Sequence, residues 1–212
     1  MIAEEDMVIT ISHSGYIKRF PVSGFRRQGR GGRGHRGADF KEEDFIRHLF
    51  VASTHNYIMF FTDKGRCYWL KVHEIPQMGK ASRGRPIVNL IDIKKDEKVT
   101  TFVNIERFVE DQYLIFATKK GMVKKTDLMA YSNPRRDGII AINLNEGDQL
   151  IQVEITDGTN DIILGTSAGK SVRFHEDKVR PMGRGAAGVK GVNLNGGEAD
   201  VVGMVVVKRE GT

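Results

Sequence analysis

Met59-Phe-Phe-Thr-Asp-Lys-Gly65 is one of four copies of a short segment that decides how this chain folds. The other copies are Ile9-Thr-Ile-Ser-His-Ser-Gly15, Ile115-Phe-Ala-Thr-Lys-Lys-Gly121 and Ile163-Leu-Gly-Thr-Ser-Ala-Gly169. Each copy has an aliphatic or Met residue six positions before its glycine and a Ser or Thr three positions before it. The glycines lie 50, 56 and 48 residues apart, so the chain is built from a repeat of about fifty residues.

The repeated segment predicts a β-hairpin, because an apolar run leads into a polar turn that ends on glycine. Glycine adopts the positive φ of such turns without a Cβ penalty. The second hairpin strand is expected at residues 16–22, 66–72, 122–128 and 170–175. Two more apolar segments complete a repeat, at residues 87–93 and 98–105, then 139–144 and 149–155, then 188–194 and 201–207.

About four strands per fifty residues are typical of propeller-like arrays, and helical periodicity is scarce. Residues 43–51 form the only helix-like window, and their β-branched and aromatic content permits a strand equally well. The sequence therefore predicts an all-β fold with four visible repeats of four-stranded blades. We expect a single domain over residues 1–212, with repeats at roughly residues 7–55, 56–110, 111–158 and 159–207.

The charge of the chain favours a polyanionic partner. Lys and Arg number 33 against 27 Asp and Glu, for a net charge of +6. Seven cations and no acidic residue lie between Tyr16 and Gly37. The single cysteine, Cys67, excludes an internal disulfide and fits a reducing cytoplasm. Apolar runs are too short to span a bilayer and the N-terminus has no apolar signal segment, so we expect a cytoplasmic protein with no membrane partner.

The loop after the first hairpin reads Gln28-Gly-Arg-Gly-Gly-Arg-Gly34. It resembles the box Gln-Arg-Arg-Gly-Gly-Arg-Gly that marks the C-terminal domain family of DNA gyrase A subunits, with six of seven positions in agreement. The difference is Gly29, where the family prefers Arg, although Arg26 and Arg27 lie just upstream. The related topoisomerase IV subunits usually carry a degraded box, so the loop favours gyrase.

The resemblance covers essentially the whole chain and implies a β-pinwheel in which neighbouring blades exchange a strand. Family members usually have six blades, whereas four repeats are visible here. The implied function is to bend and wrap duplex DNA, without sequence specificity, around a basic rim in support of negative supercoiling. The implied partners are the rest of the gyrase A polypeptide and the gyrase B polypeptide in an A2B2 holoenzyme, located in the cytoplasm at the nucleoid, with the isolated domain monomeric.

The resemblance also implies that this domain is not an enzyme by itself. The catalytic tyrosine and the carboxylates that bind Mg²⁺ belong to other parts of the holoenzyme, which also uses ATP. We therefore expect no catalytic residue, no cofactor and no metal site in this domain. Asp39, Glu42, Glu43 and Asp44 form only a loose acidic stretch, and the six histidines lack paired ligand spacing.

The box suits phosphate binding, since glycines let the backbone approach phosphates and Arg supplies charge with planar donors. Affinity should then fall steeply with salt. The candidate DNA-binding residues of the box region are Arg26, Arg27, Gln28, Arg30, Gly31, Gly32, Arg33, Gly34 and Arg36. Those of the hairpins are Lys18, Arg19, Arg66, Lys71, Lys124, Lys125, Lys170 and Arg173. The later loops add Lys80, Arg83, Arg85, Arg135, Arg136, Arg180 and Arg184.

Two other functions remain open. The topoisomerase IV counterpart would select a DNA segment without strong wrapping, and the intact core of the box argues against it. A propeller-like scaffold for protein partners would use its charge for solubility and should have scattered cations, whereas here the cations recur in register. Nucleotide binding is disfavoured, because residues 29–34 match G-x-G-x-x-G but are followed by a poor helix start.

Overall fold

The computed structural model describes residues 1–24, 44–197 and 199–208, and in these residues the regular structure is fifteen strands with five 3-10 helices. The strands of the first two repeats are β1 (Asp6–Ser12), β2 (Tyr16–Pro21), β3 (Ile46–Ser53), β4 (Tyr57–Thr62), β5 (Arg66–Lys71), β6 (Arg85–Pro86) and β7 (Val99–Ile105). The later strands are β8 (Tyr113–Thr118), β9 (Met122–Asp127), β10 (Ile139–Ile140), β11 (Leu150–Thr156), β12 (Asp161–Thr166), β13 (Ser171–His175), β14 (Val189–Lys190) and β15 (Val201–Val207). The 3-10 helices are Val22–Gly24, Val72–Glu74, Ile87–Asn89, Leu128–Tyr131 and Glu176–Lys178.

The four predicted hairpins are present, and each forms the centre of one sheet. The strand orders are β3-β1-β2-β6, β7-β4-β5-β10, β11-β8-β9-β14 and β15-β12-β13. Gly15, Gly65, Gly121 and Gly169 end the hairpin turns at φ values of 84°, 82°, 92° and 74°. The sequence prediction of an all-β, blade-like repeat fold is therefore confirmed.

The strand exchange that the family resemblance implied is also present. Strands β6, β10 and β14 each pair with the second hairpin strand of the preceding repeat, as in the pairing of Ile17 with Arg85. The fourth sheet has three strands in the described part of the chain. The second, third and fourth repeats therefore each supply an edge strand to the sheet of the repeat before them.

The apolar segments that precede the last strand of each repeat are not the full strands that we predicted. Residues 87–93, 139–144 and 188–194 contain at most two strand residues each. The pairing ends there because the following backbone N–H bonds to a turn residue and not to the neighbouring strand. Ile87, Ala141 and Gly191 donate their N–H to the carbonyl of the hairpin glycine of the preceding repeat, at 2.8–2.9 Å. The apolar side chains here, such as Ile142, are buried as loop residues, so their hydrophobicity reflects burial without strand pairing.

Contacts divide the chain into two compact units. The first comprises Met1–Ile58, Trp69–Asp92 and Asn104–Arg107, and the second comprises Met59–Tyr68, Ile93–Val103 and Phe108–Thr212. In the first unit Ile9 and Ile17 are fully buried. In the second, the Phe61 ring meets the Phe116 ring edge-on at 5.7 Å, and a further cluster contains Leu164 and Met204. The expectation of one domain over the whole chain stays a prediction.

Candidate nucleic-acid interface

All nine candidates of the box and its flanks lie outside the described residues: Arg26, Arg27, Gln28, Arg30, Gly31, Gly32, Arg33, Gly34 and Arg36. Their role in DNA binding stays a prediction from the sequence.

Three of the predicted DNA-contacting cations are buried. Lys18, Lys124 and Lys125 are 1%, 0% and 4% exposed. The Lys18 Nζ donates to three carbonyl oxygens, and the Lys124 Nζ to two. The Lys125 Nζ pairs with the Glu176 carboxylate at 3.3 Å. The prediction that these lysines contact phosphates is wrong, because their ammonium groups are enclosed and already bonded within the protein.

The positions of these lysines along the strands carry a signal for their burial. Lys18 and Arg19 are adjacent on β2, and Lys124 and Lys125 are adjacent on β9. Neighbouring residues of a strand point to opposite faces of the sheet, so at most one cation of each pair could face outward. The central strands of these sheets are covered on both faces, as the burial of Lys124 and Lys125 together shows. A cation there must therefore find acceptors inside the protein.

Four other candidates are half-buried and engaged. The Arg19 Nε donates to the Ile75 carbonyl at 2.6 Å, and burial lowers the pKa of this guanidinium. Lys71 lies over the Tyr57 ring at 5.2 Å from its centre. Arg66 is held by the Asp137 carbonyl at 2.7 Å. Each of these side chains is only partly exposed and has a role in local packing.

Arg83, the fourth, is clamped from two sides. Its guanidinium carbon lies 3.8 Å from the centre of the Tyr16 ring, and its Nη2 lies 3.4 Å from the Asp44 carboxylate. Burial alone would raise the pKa of Asp44, but hydrogen bonds from Ser14, Ser12 and the Phe45 amide outweigh this and lower it to about 2. Asp44 is therefore ionised at neutral pH, and any phosphate contact of Arg83 must compete with it.

Lys80 is half-buried as well, and the remaining candidates are exposed: Arg85, Arg135, Arg136, Lys170, Arg173, Arg180 and Arg184. Of these, Arg173 pairs with the Asp161 carboxylate at 2.8 Å. No hydrogen bond or ion pair joins the side chains of Arg85, Arg135, Lys170, Arg180 or Arg184 to another described residue. These side chains are the candidates best able to bind an external anion.

Three arginines of the second unit converge on one open cavity of about 410 Å³, which we call the arginine pocket. Arg66, Arg135 and Arg184 line it, and each comes from a different repeat. Asn143 and the backbone of Gly185 complete the wall, and the Asn143 Nδ2 donates to the Gly185 carbonyl at 2.6 Å. The described lining residues carry three positive charges and no carboxylate, but Arg66 also pairs with the Glu97 carboxylate at 3.7 Å. Arg135 and Arg184 therefore supply the charge that suits the pocket to an anion with several oxygens.

Sequence reasoning found the three arginines of this pocket but missed Asn143. The signal for Asn143 is a polar residue at the end of the apolar run Ile139-Ile-Ala-Ile-Asn143. Its amide fixes the connection that carries Arg184, since Asn143 N also donates to the Ala186 carbonyl at 3.3 Å.

Glycines fix the path of the connections that carry the loop arginines. Gly84, Gly138 and Gly188 have φ values of 98°, 71° and 93°, which only glycine adopts without strain. A Cβ at Gly84 would lie 2.6 Å from the Ile17 carbonyl oxygen, and one at Gly188 would lie 2.4 Å from that of Val123. The connection thus lies directly against the hairpin of the preceding repeat, where a side chain would not fit.

Among the described residues, no group of three His, Cys, Asp or Glu side chains is placed to hold a metal ion. Burial raises the pKa of the Cys67 thiol well above its ordinary value. The part of the chain that the structure describes also holds no helix of the length and apolarity needed to cross a membrane.

Repeated sheets, exchanged edge strands and arginine-bearing connections define a repeat-built domain of the β-propeller class. The family described as DNA gyrase C-terminal domain, beta-propeller, matches residues 6–53, 56–106, 112–157 and 160–208. The chain belongs to this family.

Curated relatives and solved structures agree with this assignment. The DNA gyrase A subunit of Halalkalibacterium halodurans is 50% identical over 193 residues, covering 91% of this chain and 23% of that protein. Its counterpart from Salmonella typhimurium is 46% identical over 211 residues, covering 100% of this chain and 24% of that protein. The chain thus spans about a quarter of the length of these relatives.

Two solved structures are similar across almost the whole chain. The crystal structure of a C-terminal domain of DNA topoisomerase IV matches with a TM-score of 0.82 and 32% identity, covering 98% of this chain and 63% of that one. A DNA gyrase A C-terminal domain matches with a TM-score of 0.73 and 26% identity, covering 96% of this chain and 66% of that one.

Proposed function

We propose that this chain binds duplex DNA through its phosphates and bends it, as the DNA-wrapping part of a gyrase A polypeptide that supports negative supercoiling. The observation that carries the proposal is the arginine pocket, in which guanidinium groups of three successive repeats line one open cavity. A surface with one such cluster per junction would contact a duplex at intervals along its backbone. Such contacts position DNA without reading its sequence.

The chemistry of the pocket matches a phosphate group. Guanidinium is planar and always charged, and it donates paired hydrogen bonds to two oxygens of one phosphate. Arg135 and Arg184 are exposed, so they can approach a phosphate without first breaking an ion pair to another described residue. Binding would release counterions, and the affinity should fall steeply as salt increases.

Bending explains why one cluster would not suffice. Smooth elastic estimates place roughly 1–6 kcal/mol on a 40–90° bend of a 20–30 bp site. Further contacts must offset this cost along the bent path. The box, at residues 28–34, ends on Gly34, 19 residues after Gly15, and Gly84 and Gly188 stand at the same spacing after Gly65 and Gly169. By sequence spacing, the box is the first repeat's copy of the connection that supplies Arg184 to the pocket.

The rest of the proposed role follows from the gyrase relatives. We propose that the domain performs no catalysis itself and works with the remainder of the gyrase A polypeptide and with gyrase B in an A2B2 enzyme that uses ATP and Mg²⁺. This role would place it in the cytoplasm at the nucleoid, with the isolated domain a monomer.

Energy transfer between dyes on the two ends of a duplex of about one persistence length, 150 bp, tests the proposal. The dyes should approach when the chain is added at low salt, and the effect should decrease as salt rises. R135A and R184A should reduce both affinity and end approach. The matched control is R107A, which removes the same charge from an exposed arginine outside the pocket.

The outcomes separate the alternatives. Binding without approach of the ends would indicate the segment-selecting role of a topoisomerase IV domain. The similarity to such a domain, with a TM-score of 0.82, supports testing this alternative. No binding at low salt would overturn the proposal and favour a protein-interaction scaffold. Equal effects of R107A and R184A would show that only the total charge matters and not the pocket.

A further inference from the structure

Two buried lysines occupy the same position in their repeats and have the same kind of partner. Lys18 and Lys124 each stand three residues after a hairpin glycine, and both are fully buried. The Lys18 Nζ donates to the carbonyls of Gly79, Lys80 and Ser82, at 3.2, 2.6 and 2.6 Å. The Lys124 Nζ donates to the carbonyl of Ala141 at 2.5 Å and to that of Arg184.

The accepting carbonyls belong to the connections that bear candidate DNA-contacting cations. Lys80 and Arg184 occupy equivalent places, each four residues before a glycine of positive φ, Gly84 or Gly188. The backbone carbonyl of each accepts a hydrogen bond from a buried lysine, Lys80 from Lys18 and Arg184 from Lys124. Arg184 meanwhile keeps its side chain exposed in the wall of the arginine pocket. One residue therefore joins the buried ammonium to the anion-facing surface.

The ammonium is the group that determines the path of the loop. No carboxylate of the described residues lies within ion-pair distance of Lys124, so the carbonyls compensate for the loss of its water shell. In return the lysine satisfies main-chain oxygens that would otherwise point into an apolar core beside the Phe116 ring, whose centre lies 5.1 Å from Nζ. An apolar side chain here would leave the Arg184 carbonyl without this donor, while the Ala141 carbonyl would keep the Tyr131 hydroxyl at 2.9 Å. The connection that carries Arg184 would then have to move.

We infer that Lys18 and Lys124 are positioning residues for DNA binding, which hold the connections so that Lys80 and Arg184 face the phosphate backbone. This inference rests on the proposed function. It assigns a role in binding to two side chains that touch no DNA. The second repeat uses a different device, since Tyr68 stands at the equivalent position and its ring lies against Gly138.

The test is a double-mutant cycle in the 212-residue chain between K124M and R184A, with duplex affinity and the salt dependence of that affinity as readouts. K124M should weaken binding by about tenfold or more, the effect of losing one hydrogen bond to a charged group. It should have little further effect in the R184A background, because the group it positions is already gone. K178M, which removes an exposed lysine charge, should be additive with R184A.

Hydrogen exchange separates failure of this inference from failure of the proposed function. K124M should speed exchange of the Ala186 amide, which is bonded to the Gly183 carbonyl at 3.1 Å, whether or not DNA binds. Unchanged exchange, or equal weakening of DNA binding by K124M in both backgrounds, overturns the inference. If R184A leaves DNA affinity unchanged, the pocket has no DNA role and the binding part of the inference fails with it.

A second variant covers the case in which K124M does not fold. K18M should act in the same way on the other connection, in a cycle with K80A. The Ser82 amide, bonded to the Gly79 carbonyl at 3.0 Å, is the matching exchange probe. Additive effects of K18M and K80A on DNA affinity would contradict the inference independently of Lys124.

Discussion

Gly84 lies so close to Ile17 of the preceding repeat that a Cβ at residue 84 would be 2.6 Å from the Ile17 carbonyl oxygen. The contact seats the connection against the hairpin and places β6 beside β2, where Arg85 pairs with Ile17. Gly188 repeats this relationship with Val123. The strand exchange therefore depends on the absence of a side chain at one position per repeat.

Substituting these glycines should destabilise the fold. G84A and G188A each combine a positive φ with a contact to a main-chain atom that cannot move aside, and we expect a loss of at least about 2 kcal/mol in the free energy of unfolding. Urea unfolding measures it. G79A and G183A are matched controls in the same connections, since nothing lies within 4 Å of a Cβ there. A loss in the controls equal to that in G84A would contradict the packing argument.

Stability in acid should depend on Asp44. Its folded pKa of about 2 is below the ordinary 3.8, so the ionised form is stabilised by folding. This contribution is fully present above about pH 4 and is lost as the pH falls towards 2. D44N should therefore show a weaker fall in the free energy of unfolding between pH 4 and 2 than the unsubstituted chain. Identical acid profiles of the two proteins would refute this role.

Lys124 predicts a pH dependence of the same sign in a higher range of pH. Burial, helped by the charge of Arg184, lowers the pKa of Lys124 to about 7, from an ordinary 10.5. Above pH 7 the unfolded chain keeps a proton that the folded chain has lost, so the free energy of unfolding should rise with pH, by at most about 1.4 kcal/mol per unit. Two neighbouring groups act the other way at higher pH, since burial raises the pKa of Cys67 and of Tyr131.

The clean window for Lys124 is therefore about pH 7 to 8.5, below the titration of an unfolded thiol. Urea unfolding of the unsubstituted chain and of K124M over this range isolates the lysine, because the other titrating groups are shared. We expect the stability difference between the two proteins to change with pH. A constant difference would show that Lys124 stays charged in the folded protein.

The buried pair of Lys125 and Glu176 should behave as one unit. Their side chains are 6% and 0% exposed, and the Glu176 carboxylate also accepts hydrogen bonds from the Thr156 hydroxyl and the Asn160 amide. K125M alone leaves a buried carboxylate without its cation and should cost about 3 kcal/mol. The double variant K125M/E176Q should lose less than the sum of the single variants. Simple additivity in urea unfolding would rule out this coupling.

The repeat and its hairpins could be predicted from local sequence. A glycine at the turn, a hydroxyl three residues before it and an apolar residue six before it specify a hairpin through short-range geometry, and four copies in register specify an array. Residues 43–51 show the limit of this reasoning, since their pattern permitted helix or strand and the structure holds strand Ile46–Ser53. This segment pairs with β1 in the first sheet, and that pairing selects the strand.

Residue identity and spacing along the chain specify the repeat, the hairpins and the supply of cations. Which cations face outward depends on tertiary packing, because a strand is covered by segments from elsewhere in the chain. Lys124 and Arg184 are both basic, and the sequence predicts DNA binding for both. Packing encloses the first as a donor to main-chain carbonyls and leaves the second exposed in the arginine pocket.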